Sequence, residues 1–140
     1  MGIRALVVKR RSILALLLAG SVLTGCASVG DRSAAASSVA TGLLTSLQRK
    51  DGAAACAVLA PDTAAEVVQS GGKPCAEAIL DEQLPGPGTV VGADVYGQWA
   101  QVRLSDDTVF LAVFPAGWRV VAAGCTPRPE RPYRCVLQGG

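Results

Sequence analysis

The pentapeptide Leu84-Pro85-Gly86-Pro87-Gly88 limits the folds open to this chain more than any other feature. Two prolines and two glycines in five residues suit neither a helix interior nor a central strand, so no regular element crosses this point. The apolar pattern also changes period here. Before it, from about Ala36, the residues Val39, Leu43, Leu44 and Leu47 recur at the spacing of one helix face. Arg49 and Lys50 fall in the last turn, where cations suit the helix dipole. Asp51 is placed to cap a second helix over residues 52–59. Thr63-x-x-Glu66 forms a capping-box pattern for a third helix, running to about Gln69 and stopped by Gly71-Gly72. Pro74 suits the first turn of a fourth, ending near Gln83.

After the break everything has strand character. Residues 89–96 are β-branched and aromatic, and Gly97-Gln98 is a two-residue turn. Residues 99–104 alternate, with Ala100, Val102 and Leu104 on one face and Trp99, Gln101 and Arg103 on the other. Ser105-Asp106-Asp107 reads as a turn. Residues 108–114 are apolar on both faces, which predicts a central strand covered on both sides. Pro115-Ala116-Gly117 turns again, residues 118–123 form the last long strand, and a short strand is expected at 135–137. Helices first and an antiparallel meander afterwards predict an α+β domain.

The N-terminus has the three parts of an export signal. Arg4, Lys9, Arg10 and Arg11 form a basic start, and residues 12–22 are an apolar run. A run of that length falls short of the roughly 20 residues a spanning helix needs and matches a signal core. Leu23-Thr24-Gly25-Cys26 then matches the bacterial lipobox. The match implies cleavage after residue 25 and a diacylglycerol on Cys26, with the rival reading an ordinary signal peptide or an uncleaved anchor. Several acyl chains anchor firmly where one does not, at about 0.8 kcal/mol per buried CH₂. Residues 26–36, small and polar, read as a lipidated tether, and 37–140 as a single domain. Of the 13 basic and 11 acidic residues, four basic ones leave with the signal, so nine remain against eleven, a net of −2. The remaining chain has no basic excess of the kind that points to nucleic acid. The expected location is the extracytoplasmic face of a bacterial membrane.

With Cys26 assigned to lipid, Cys56, Cys75, Cys125 and Cys135 remain. An even number in an exported chain reads as disulfides, with three possible pairings. The pairing Cys56–Cys75 and Cys125–Cys135 is favoured, because each joins sequence neighbours within one structural region. A metal site would want closer cysteine pairs or histidines. The chain has no histidine, and no two cysteines lie closer than ten positions, so neither a metal nor another cofactor is expected.

Several segments resemble a group of uncharacterised lipoproteins from high-GC actinobacteria: Asp51-Gly52-Ala53-Ala54-Ala55-Cys56 with Leu59-Ala60-Pro61, Lys73-Pro74-Cys75, Val109-Phe110-Leu111, Gly117-Trp118-Arg119-Val120, Ala123-Gly124-Cys125 and Pro132-Tyr133-Arg134-Cys135. The layout is also similar to the nuclear-transport-factor-two-like (SnoaL-like) cone fold. That similarity implies N-terminal helices packed on a curved antiparallel sheet. Such folds host enzymes, binding modules and assembly domains alike, so the likeness speaks to fold rather than to function.

The absence of histidine excludes Ser-His-Asp and Cys-His arrangements, and no catalytic residue is assigned. Asp94 and Tyr96 share a strand face and would form a polar site if that face pointed into a cavity; otherwise the face is solvated. Trp99 and Trp118 would line a ligand pocket or pack as sheet residues. Arg128, Arg131, Tyr133 and Arg134 sit on a proline-stiffened loop closed by Cys125 and Cys135, and suit an anionic partner unless the loop merely covers the sheet edge. The expectation is a non-enzymatic, membrane-anchored envelope domain that binds a protein partner or itself. The alternative is a small-molecule or lipid binding module using the cone cavity.

Overall fold

A computed structural model describes residues 28–139. Cys26, the lipobox and the signal segment lie outside the described residues. The first helix, α1 (Val29–Gln48), starts well before its apolar stripe, and residues 29–36, expected to be tether, are its first two turns. The cause is local. Ser28 Oγ accepts from the Asp31 amide at 3.0 Å, and Asp31 Oδ2 accepts from the Ser28 amide at 3.1 Å, a complete capping box. The Ser28 hydroxyl and amide hold the Asp31 carboxyl below its ordinary value. Further along, Ala36, Ala40, Leu43 and Leu44 recur on one face and are fully buried.

Helix α2 (Gly52–Ala57) is capped as expected, with Asp51 Oδ1 accepting from the Ala54 amide at 3.0 Å. It stops early because the next residues pair with a strand instead. In α3 (Pro61–Gly71), Pro61 occupies the first turn behind Ala60, and the expected capping box at Thr63 and Glu66 does not form. The Thr63 hydroxyl, fully buried, donates to Val121 O at 3.0 Å. Gly72 ends α3 at φ +63°, a backbone conformation that favours glycine. Helix α4 (Cys75–Ala78) is one turn long and continues as a 3₁₀ turn, Ile79–Asp81, which drops Ile79 into the core. Cys56 and Cys75 are bridged, tying α2 to α4.

Four strands run consecutively antiparallel: β1 (Val90–Tyr96), β2 (Trp99–Leu104), β3 (Thr108–Phe114) and β4 (Gly117–Ala123). The proline-rich segment expected to be a loop is a two-stranded ribbon, β5 (Thr126–Arg128) and β6 (Arg131–Arg134), closed at its base by Cys125–Cys135. Strand β7 (Leu137–Gln138) then returns to pair with Ala122 and Ala123 of β4. The rest of that β4 edge is taken by the segment between α2 and α3: Ala60 N donates to Val120 O at 2.8 Å and Val120 N to Val58 O at 2.9 Å.

The register assigns each strand residue a face. Ala100, Val102, Leu104, Val109, Leu111, Val120 and Ala123 meet α1 and the other helices in one buried core. Leu43, Leu44, Leu111, Val102 and Val120 fill the space between the helices and the sheet. The opposite face of the sheet carries Phe110, Ala112 and Ala122.

Candidate functional site

That opposite face carries a groove of about 630 Å³. Its floor comes from the strands. Phe110 of β3 pairs with Ala122 of β4, and Ala112 pairs with Trp99 of β2 and Arg119 of β4. Because Val121 is an extra residue opposite the Phe110–Leu111 step, the alternation of β4 shifts there, which turns Ala122 onto the groove face. The walls are Trp99 and Phe114 at one end and Pro132 and Tyr133 of the ribbon at the other. Asp62 at the start of α3, with Gln98 and Gln138, supplies a polar rim.

Tyr133 is held over the sheet from two directions. Its ring stands edge-on to Phe110, centroids 5.1 Å apart, and its hydroxyl accepts from Gln101 Nε2 at 3.2 Å. The Cys125–Cys135 bridge fixes the ribbon beside it, and Cys135 itself lines the groove. The ribbon is anchored a second time by Asp107. This side chain is buried and accepts from the amides of Cys125 at 2.9 Å and Gly124 at 3.1 Å. Burial pushes its carboxyl above the ordinary value against the opposing pull of those amides.

The expected site residues divide. Trp99 and Tyr133 enter the groove. Trp118 does not: it lies on the helix side of the sheet, half-buried under Arg32, whose guanidinium is 5.5 Å from the ring centre. The two tryptophans therefore cannot line one pocket. Asp94 and Tyr96 are on the groove side of the sheet but outside the groove. Asp94 forms an ion pair with Arg103, and Tyr96 is 65 % exposed. Arg128 donates across the ribbon to Pro132 O at 2.9 Å, while Arg131 and Arg134 are exposed and do not line the groove. Of residues 128, 131, 133 and 134, only Tyr133 lines the groove.

Phe110, Phe114, Pro132 and Gln138 were not anticipated. Their signal was the double apolar character of residues 108–114: a central strand that is apolar on its outer face must be covered by something, and the ribbon covers only part of it. Among the described residues no group of three or more His, Cys, Asp or Glu is placed to hold a metal, and no helix is long and apolar enough to cross a membrane. The chain matches no protein-family model, no curated protein and no solved structure.

Proposed function

We propose that this chain is a lipid-anchored, non-enzymatic domain of the cell envelope that holds a protein partner in the groove on the open face of its sheet. The groove carries the reading: about 630 Å³, floored by Phe110, Ala112 and Ala122 and walled by Trp99 and Tyr133, it offers rigid aromatic anchors with a polar rim. Its walls are preorganised by a disulfide, the Gln101–Tyr133 hydrogen bond and the Asp107 clamp, which lowers the ordering cost of binding. The lipobox at residues 23–26 supports an anchor on Cys26. The lack of histidine and the engagement of Asp94 and Asp107 in structural bonds favour binding over catalysis.

The test is photo-crosslinking in the native envelope from a benzophenone side chain at Gln138, on the groove rim. A discrete adduct with one envelope protein, lost on Phe110→Asp, is the expected result. A monomer with no adduct refutes the reading. The same groove also suits a small amphiphile, since its volume lies in the usual range for ligand pockets of roughly 300–1,000 Å³. Native mass spectrometry of the purified chain separates the two, because a retained small molecule adds a discrete mass.

A further inference from the structure

The two ends of the domain differ in chemistry. At one end the β2–β3 turn carries Asp106 and Asp107, and α1 runs out into Arg49 and Lys50. At the other end are the β1–β2 and β3–β4 turns, and residues 95–100 and 112–118 contain no Asp, Glu, Lys or Arg. Exposed apolar side chains gather there. Of the eight large ones exposed among the described residues, four belong to this end: Val29 at 69 %, Tyr96 at 65 %, Trp99 at 58 % and Val113 at 38 %. Val90, Val91 and Val136 are exposed toward the opposite end, so what sets this end apart is that its exposed apolar residues include the tyrosine and the tryptophan.

The start of α1 lies at the same end. Arg32 donates to Gly97 O in the β1–β2 turn and stacks on Trp118 beside the β3–β4 turn. Twenty residues of helix carry the other end of α1 about 30 Å away. Cys26 precedes Ser28 by two residues, a span of at most about 7 Å of extended chain. A lipid on Cys26 would therefore set this end, where Asp31 and Arg32 of α1 are the nearby charges, against the bilayer. Tryptophan and tyrosine are the side chains that suit the headgroup region, with apolar bodies and polar tips.

We infer that this end is a membrane-contact face: the domain stands on the phospholipid surface through Val29, Tyr96, Trp99 and Val113, with α1 pointing away from it. The inference rests on the anchor proposed above. The groove then opens at the lipid surface, because Trp99 and Val113 also belong to its rim. The opposite end, with Asp106 and Lys50, faces away from the membrane.

Depth-resolved fluorescence tests it. The chain holds two tryptophans, so Trp118→Phe leaves Trp99 as the reporter. The full chain is expressed with its own signal, checked for acylation by intact mass, and reconstituted in phosphatidylcholine–phosphatidylglycerol vesicles containing a lipid with a nitroxide near the headgroup. Trp99 emission is expected to shift to the blue and to be quenched. A reporter at the far end, Gln83→Trp with both natural tryptophans replaced by Phe, is expected to keep its emission. An acylated chain whose Trp99 is not quenched, or whose far-end reporter is quenched instead, overturns the face and leaves the anchor standing. If the mass carries no acyl group, the anchor fails, and vesicle flotation of the unacylated chain decides the face. Flotation that is lost on Tyr96→Asp with Trp99→Asp keeps the face, and no flotation discards it.

Discussion

The same substitution at two glycines is expected to have opposite signs. Gly42 lies inside α1, and a Cβ built there meets no atom within 4 Å. Gly42→Ala removes a helix-interior glycine with no steric penalty and is expected to stabilise the fold by about 0.5–1 kcal/mol. Gly52 opens α2, where a Cβ would stand 1.8 Å from the carbonyl oxygen of Ala76 and 2.7 Å from its carbonyl carbon. Both sides of that contact are backbone, and the Cys56–Cys75 bridge keeps α2 and α4 from parting. Overpacking a rigid contact costs about 1–3 kcal/mol, and this contact belongs at the upper end. The gain in helix propensity is small in a first turn, so the net loss is expected to be about 2–3 kcal/mol. Urea denaturation with the disulfides intact measures both. With a slope of about 1–1.5 kcal/mol/M for a domain this size, the midpoint should fall by about 2 M for Gly52→Ala and rise by about 0.5 M for Gly42→Ala. Midpoints that move in the same direction would refute the close approach of α2 to α4.

Asp107→Ala strands the amides of Gly124 and Cys125 and is expected to cost about 2–4 kcal/mol in the same assay, with loosened amide protection over residues 124–136 by hydrogen exchange. The sign of its pH dependence is unusual for a carboxylate. Burial holds the folded carboxyl above 3.8, so its contribution is full below the unfolded value and declines as pH rises through the folded one. Asp107→Asn is expected to remove that decline, and an unchanged stability–pH slope would contradict it. Opening the ribbon with Cys125→Ala and Cys135→Ala is expected to cost about 3 kcal/mol in the chain-entropy model, read as a lower melting temperature. The same pair should weaken any partner adduct formed from Gln138, since Tyr133 and Pro132 then lose their fixed place over Phe110.

Sequence logic reached furthest where the determinants are local. The Pro-Gly break, the period change across it and the turn residues were enough for the order of elements and for the α+β class. Both disulfides followed from pairing sequence neighbours, because each bridge closes within one region of the fold. The errors occurred where a side chain had two possible partners. Thr63 has the spacing of a cap, but its hydroxyl finds Val121 O across the sheet, and Pro61 starts the helix instead. Ser28 and Asp31 do form a cap, yet they precede the apolar stripe by a full two turns, so periodicity alone missed them. Asp107 looked like a turn residue until Gly124 and Cys125 came to it from 17 and 18 positions away. The prolines of the 126–134 segment suggested a loop, but an edge ribbon tolerates proline wherever an N–H is not needed. Half of the groove could be anticipated through Trp99 and Tyr133. The other half depends on the extra residue at Val121, which no local pattern announces.

The shared outer edge of β4 has a consequence for how the chain matures. One stretch of that edge is sealed by residues 58–60 and the next by residues 137–138, while Gly139 N donates to Val121 O between them at 3.0 Å. Synthesis runs from the N-terminus, so the first seal is ready as soon as β4 exists, and the second waits for nearly the last residues described. Until then the last residues of β4 lack their outer partner, and the ribbon is held at its base by Asp107. Assembly of the sheet is thus completed by a closing stitch from residues 137–139. A chain lacking residues 137–139 would leave that seam open and also lose Leu137 from the core.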